Sequence, residues 1–145
     1  MTTTQEPTVG RFSVDVVLTN QGDLFRAKDG RLDPSQIRRA TVRGVVDSGA
    51  TRLVIPAAIA EQLGLEISDP VKVRYADGRT AERPVARGIH LTYAGRGDTF
   101  SAIVEPDGGS AIIGAVVLEV LDLIVDCTAQ RLVPRDPKQI IAEIE

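Results

Sequence analysis

The sequence predicts one mainly β domain, and three observations lead to that prediction. The chain has 145 residues and is 43% apolar, which is enough for a single hydrophobic core. Aromatic residues make up only 3% and there is no Trp, so Val, Ile, Leu and Ala must build the core, and this mix favours strands. Segments of alternating apolar and polar residues recur between turn-forming residues. We therefore expect several short strands with one or two short helices.

Composition narrows the possible functions. The 17 basic and 20 acidic residues form no long run of one charge, which argues against binding to a nucleic-acid backbone. The single cysteine, Cys127, has no partner for a disulfide and no clustered His or Cys for a zinc site. Residues 1–8 lack the features of a signal peptide, and the apolar stretch 111–125 is shorter than the roughly 20 residues of a membrane span. We expect a soluble, cytoplasmic protein with no metal, organic cofactor, nucleic-acid or membrane partner.

The strand that ends at Asp47 is the central feature of the first half. Residues 11–18 alternate as a half-buried strand does, and residues 20–37 are predicted to be an irregular polar excursion. From Arg38 the chain becomes apolar again and runs through Val45 and Val46 directly into Asp47. Burying an ionised carboxylate is costly, so this pattern indicates either a turn or a site in which the carboxylate has partners.

The remaining elements follow from turn and cap signals. Pro56 and Gly64 bracket a short helix at 56–63, because proline favours the start of a helix and glycine the residue after its end. Two hairpins are predicted next, one at 71–85 that turns at Asp77-Gly78 and one that joins 88–93 to 99–104 across 94–98. A strand at 111–113 is stopped by Gly114, one or two helical turns follow at 116–121, and strands are predicted at 123–125 and 131–133. The charged tail, 138–145, is either a loose helix or disordered. Asp47 and Gly114 occupy matching points of a rough internal symmetry.

The segment Val46-Asp47-Ser48-Gly49-Ala50-Thr51 resembles the active-site turn of retroviral-type (retropepsin-like, clan AA) aspartic proteases, in which Asp-Ser/Thr-Gly-Ala follows an apolar strand. Three further features stand in the order that family requires. They are the hairpin tipped by Tyr75-Ala76-Asp77-Gly78 in the position of the flap, the element Ile112-Ile113-Gly114, and the closing segments Leu123–Asp126 and Leu132–Pro134. The resemblance covers about residues 10–134 and is greatest to small prokaryotic members. It implies a closed retropepsin-like acid-protease β-barrel over residues 9–134, between a flexible N-terminus, 1–8, and a charged tail, 135–145.

The resemblance implies an aspartic endopeptidase acting on a peptide or protein substrate. In such an enzyme two carboxylates share one proton, so that one is the general base on a water and the other, neutral, polarises the carbonyl. This chain supplies one such turn, since Gly114, at the matching point, has no side chain. The second carboxylate must come from Asp47 of another copy, which predicts a symmetric homodimer.

The same resemblance assigns roles to the neighbouring residues. Ser48 would form hydrogen bonds across the dimer axis, and Gly49 would permit the sharp turn and let its N–H approach the carboxylate. The residues expected to support the active-site loop are Ala50, Thr51, Ile113 and Gly114, and those expected to contact substrate from the flap are Tyr75, Ala76, Asp77 and Gly78. The flap departs from the pattern of many members, because it has a single glycine and a charged tip.

Other interpretations of the sequence remain open. Asp47-Ser48-Gly49 is also ordinary turn chemistry. The main alternative is a retropepsin-fold dimer that binds or assembles without cleaving, and another is an unrelated β-barrel binding module. A nucleophilic serine at Ser110 with His90 as its base is disfavoured, because no Gly-x-Ser-x-Gly turn is present.

Overall fold

A computed structural model describes residues 11–145, so the expectation of a flexible segment at 1–8 lies outside the described residues. In chain order the elements are β1 (Phe12–Asn20), α1 (Gln21–Lys28), a 3-10 turn (Pro34–Gln36), β2 (Arg39–Val46), β3 (Leu53–Pro56), α2 (Ala57–Gln62), β4 (Glu66–Arg74), β5 (Thr80–Tyr93), β6 (Arg96–Glu105), β7 (Ala111–Ile113), α3 (Ala115–Leu121), β8 (Leu123–Asp126) and β9 (Arg131–Pro134).

Six strands close into a barrel. They are hydrogen-bonded in the order β1-β2-β7-β3-β6-β5, and β5 pairs back onto β1, so this ring has no free edge. The fully buried side chains of alternate strand residues fill the interior, among them Leu18, Leu53, Ile55, Leu91 and Ile113. The predicted closed, mainly β barrel is confirmed, with β4 added outside the ring on β5 and β8 and β9 forming a separate two-stranded sheet.

The segment predicted to be irregular contains a helix, and residues 11–145 therefore include three α-helices where the sequence predicted one or two. The side chain of Asn20 caps α1 by accepting a hydrogen bond from the Asp23 N–H at 3.0 Å. Asp23, the third residue of the helix, is 1% exposed and binds Arg38 and Arg26. An Asn followed three residues later by an acidic residue is a helix-start pattern, but the same residue types are equally common in turns.

The other predicted strands and helices are confirmed with small changes. The turn between β5 and β6 has only two residues, Ala94 and Gly95, both with positive φ (50° and 82°), as a tight hairpin turn requires. The helix predicted at 56–63 spans Ala57–Gln62, and the tail from residue 135 has no regular secondary structure. None of the helices within residues 11–145 has the length and apolar character needed to cross a bilayer.

Candidate active site

Asp47 and Gly114 lie side by side at the ends of two paired strands. β2 and β7 run parallel, with Val45 opposite Ile112 and Val46 opposite Ile113. The backbone N–H of Asp47 continues this ladder by donating to the Ile113 carbonyl at 3.1 Å. The two points matched in the sequence pattern are therefore neighbours at the same end of the barrel.

The loops that follow these two strands are joined by backbone hydrogen bonds. The N–H groups of Ala115 and Val116 donate to the carbonyls of Ala50 and Thr51 at 2.8 and 3.0 Å. A Cβ at Gly114 would lie 2.3 Å from the Arg52 carbonyl oxygen, so the crossing leaves no room for any side chain there. The start of α3 therefore holds the Asp47 turn in place.

The Asp47 carboxylate presents its two oxygens to different groups. Oδ1 accepts a hydrogen bond from the Gly49 backbone N–H at 3.0 Å. A Cβ at Gly49 would approach this oxygen to 3.2 Å, so the glycine serves the close approach of backbone to carboxylate. The Asp47 carbonyl also accepts from the Ala50 N–H at 3.0 Å, which closes the turn.

Oδ2 of Asp47 accepts a hydrogen bond from Nη2 of Arg11 at 3.0 Å. The antiparallel register of β1 and β2 pairs Phe12 with Val46, and one step further it sets Arg11 opposite Asp47. The side chains of Arg11 and Asp47 are 46% and 24% exposed, so the ion pair is open to water. Sequence reasoning missed Arg11, because only the strand pairing brings the two residues together.

The expected supporting residues occupy different environments. Ile113 and Gly114 are buried and Ala50 is half-buried, as support of a loop requires. Ser48 and Thr51 are exposed in the single chain, and Thr51 contributes its backbone carbonyl to the crossing. Of the four residues expected to support the loop, Thr51 is the one whose side chain is exposed in the single chain.

The hairpin that the resemblance puts in the position of the flap, predicted at 71–85, extends beyond the barrel over residues 71–83, and we call these residues the flap. The last β5–β6 pair is Val85 with Ile103, whereas β4 and β5 continue to pair out to Arg74 and Thr80. At the tip the Tyr75 N–H donates to the Arg79 carbonyl at 2.8 Å, and Gly78 has a φ of +90° that favours glycine. Among the described residues no hydrogen bond joins this tip to the Asp47 turn, and the Tyr75 hydroxyl bonds to Glu105.

Residues 11–145 contain no group of three or more His, Cys, Asp or Glu side chains placed to hold a metal ion. The site presents one carboxylate, Asp47, with the Gly49 N–H on one oxygen and the Arg11 guanidinium on the other.

A closed barrel defines a retropepsin-like protein when it presents an Asp-Ser-Gly turn hydrogen-bonded to a second loop in which only glycine fits. The family model described as aspartyl protease matches residues 34–115, more than half of the chain, and the chain belongs to that family. A search of curated proteins finds no significant match.

Three solved structures are similar to this chain. EIAV protease complexed with the inhibitor HBY-793 is 14% identical, with a TM-score of 0.55 over 75% of this chain and 86% of that chain. The retroviral protease-like domain of Ddi1 from Leishmania major is 22% identical, with a TM-score of 0.47 over 66% and 79%. A retropepsin-like aspartic protease from Rickettsia conorii is 11% identical, with a TM-score of 0.44 over 85% and 91%. The likeness to EIAV protease shows the fold.

Proposed function

We propose that the protein is an aspartic endopeptidase that hydrolyses peptide bonds through two Asp47 carboxylates, one from each subunit of a homodimer. The observation that carries the proposal is the arrangement of Asp47, whose Oδ1 is held by the Gly49 N–H while Oδ2 faces a half-exposed side chain. A carboxylate fixed on one oxygen and accessible on the other is suited to activating a water.

The second carboxylate must come from another chain. The loop nearest to Asp47 is that of Gly114, and a Cβ there would approach the Arg52 carbonyl oxygen to 2.3 Å, which excludes a side chain. In the dimer one Asp47 is the general base on the attacking water, and the protonated Asp47 polarises the substrate carbonyl and then donates its proton to the leaving amine.

The sheet of β8 and β9 supports the proposed homodimer. It pairs with no barrel strand among the described residues, so both of its edges carry unpaired backbone groups. Ile124 on β8 and Val120 on the adjoining α3 are 47% and 41% exposed. Isolated two-stranded hairpins are marginally stable in water, so an added strand from a second copy would stabilise this one.

The remaining residues take the roles that the resemblance implies. Ser48 is exposed beside Asp47 and is available for hydrogen bonds across the dimer axis. The flap residues Tyr75, Ala76, Asp77 and Gly78 would close over the bound peptide. Arg11 must release Asp47 when the dyad forms, because a guanidinium beside two carboxylates favours ionisation of both and opposes the sharing of one proton.

The Arg11 ion pair is also the observation that favours a second function. If Arg11 keeps its bond to Oδ2 in the dimer, the carboxylate is neutralised and the cleft would bind a partner without cleaving it. The protein would then be a dimeric binding or assembly module of the same fold.

Subunit mixing tests the dyad directly. Wild-type chain is mixed with increasing amounts of the Asp47→Asn variant, and peptide hydrolysis is measured between pH 4 and 7 after subunit exchange. If both carboxylates are required, the activity per total dimer falls as the square of the wild-type fraction, and pure Asp47→Asn is inactive while sedimenting as a dimer.

A linear fall would mean that one carboxylate suffices and would contradict the dyad. A wild-type chain that stays monomeric at micromolar concentration would rule out the mechanism. A dimer that is inert toward diverse peptides and is not stabilised by a pepstatin-type inhibitor would favour the binding module.

A further inference from the structure

Glu105 and Arg83 face each other where the flap leaves the barrel. Glu105 is the last residue of β6 and pairs with Pro56 of β3, so it belongs to the barrel. The register that pairs Val85 with Ile103 sets Arg83 opposite Glu105, two residues beyond the last β5–β6 pair. Arg83 therefore lies at the base of the flap and Glu105 on the wall beside it.

The Tyr75 side chain connects the flap tip to this base. Its hydroxyl lies 2.7 and 2.9 Å from the two Glu105 carboxylate oxygens, and Nε of Arg83 lies 3.0 Å from Oε1 of Glu105 and 2.9 Å from the Tyr75 hydroxyl oxygen. The guanidinium groups of Arg79 and Arg83 lie 4.7 and 5.8 Å from the centre of the Tyr75 ring, within the range of cation–π contact.

These contacts are only partly accessible to water. The Arg83 and Glu105 side chains are each 25% exposed. Hydrogen bonds to an ionised group are stronger than neutral ones, and partial burial strengthens them further. The pKa of Arg83 is raised by its hydrogen bonds to Tyr75 and Glu105, consistent with a fixed charged cluster.

We propose that Glu105 is a positioning residue that holds the flap in one position by binding Tyr75 and Arg83, three residues that we call the flap anchor. Tyr75 begins the tip and Arg83 lies at the base, so a tip that lifts away must break the bond to Glu105. Residues 106–110, which follow Glu105, lead into β7 beside Asp47, so the anchor also ties the flap to the wall of the candidate site. As a determinant of substrate closure, the anchor rests on the proposed protease function.

Hydrogen exchange tests the anchor without reference to activity. In Glu105→Gln the flap amides of residues 71–80 should exchange about tenfold faster than in the wild type, since one partly buried charge-assisted hydrogen bond is lost. The barrel amides of β1 and β2 should be unchanged. Glu82→Gln is the matched control, because Glu82 is an exposed glutamate on β5, next to Arg83, and its side chain makes no bond to Tyr75.

Tyr75→Phe is a second variant, needed in case Glu105→Gln destabilises the whole protein. It removes only the Tyr75 hydroxyl. It should accelerate exchange in the flap alone, and the effect of the double variant should be smaller than the sum of the two single effects, since both changes remove the bond between Tyr75 and Glu105. Additive effects, or flap exchange equal to that of the wild type in both single variants, would overturn the proposal.

Peptide hydrolysis then separates the anchor from the proposed function. A flap that closes less readily should raise KM by about tenfold in Glu105→Gln while kcat changes little, because the carboxylate touches no reacting atom. If the wild type hydrolyses no peptide but the exchange result holds, the anchor stands and the protease proposal fails. If hydrolysis occurs and both single variants have wild-type KM and wild-type flap exchange, the anchor fails alone.

Discussion

Asp23 and Asp47 are both paired with arginine, yet their surroundings are opposite. Asp23 is 1% exposed and accepts hydrogen bonds from the Arg38 backbone N–H at 2.9 Å and from Nε and Nη2 of Arg38 at 2.8 and 3.0 Å, with Arg26 as a further partner. Asp47 has one backbone donor and one guanidinium, and 24% of its side chain is open to solvent.

The difference separates a structural carboxylate from one that is suited to the proposed catalytic role. The hydrogen bonds from Arg38 hold the pKa of Asp23 well below its usual range, and they outweigh the burial that opposes this shift. A strongly shifted pKa is often a sign of a functional site, but every acceptor position of Asp23 is used within the fold. In Asp47 the Oδ2 oxygen is held only by the exposed side chain of Arg11, and the Asp47 side chain is itself partly open to water. A carboxylate in this setting suits the catalytic role proposed for Asp47 better than one that the fold encloses.

The largest effect on stability should follow removal of the Asp23 carboxylate. Asp23→Ala leaves the Arg38 backbone N–H and the neighbouring Arg26 without their acceptor, and it should lower the free energy of unfolding by about 3 kcal/mol. Urea denaturation measures this value. Asp29→Ala, which removes an exposed partner of Arg31, is the control and should cost under about 0.5 kcal/mol. Equal losses in the two variants would contradict the structural role of Asp23.

The Asp23 contribution should depend on pH in one direction. The hydrogen bonds from Arg38 lower the pKa of Asp23 in the folded protein, so the unfolded chain binds the proton more tightly. The stabilisation is therefore complete at neutral pH and is lost as the pH falls below about 4 toward the folded pKa. The stability difference between the wild type and Asp23→Ala should shrink from pH 6 to pH 2. A difference that grows on acidification would reverse the sign and refute the assignment.

Local sequence patterns predicted most of the strands and the turn at Asp47, but not the first helix. Alternation of apolar residues predicted the barrel strands, because a half-buried strand has a period of two residues. The turn at Asp47 was found because its chemistry is local, being carried by four consecutive residues. The helix at Gln21–Lys28 was missed, since Asn20 and Asp23 suit a turn as well as a helix start.

The partners of the important carboxylates could not be predicted from local patterns. Arg11 and Asp47 are 36 positions apart in the sequence, and Tyr75 and Glu105 are 30 positions apart. The pairing of the strands brings each of these two pairs of residues together. Such contacts depend on register, and a shift of one residue would move each side chain to the other face of its strand. The double pairing of Asp23 likewise depends on how α1 packs beside Arg38.

Asp47→Asn should have a small effect on folding, in contrast to the Asp23 variant. The amide oxygen can still accept the Gly49 N–H, and the lost ion pair with Arg11 is exposed, so the free energy of unfolding should change by less than about 1 kcal/mol. Urea denaturation and peptide hydrolysis, measured on the same sample, should show near-native stability with no activity. Residual hydrolysis at the wild-type rate would remove Asp47 from the mechanism.

Arg11→Gln should have the smallest effect on stability. It also tests whether the contact between Arg11 and Asp47 opposes the proposed reaction. The β1–β2 ladder carries a second exposed pair, Arg43 with Asp15 at 3.1 Å, and Arg43→Gln is therefore a matched control on the same two strands. Both variants should lose under about 0.5 kcal/mol of unfolding free energy, because exposed ion pairs contribute little. Only Arg11→Gln should raise kcat/KM, by up to roughly twofold, the factor that an interaction of this size corresponds to when it competes with formation of the dyad. A decrease confined to Arg11→Gln would instead make Arg11 a helper of the reaction, and equal values in the two variants would show that its contact with Asp47 does not persist in the active dimer.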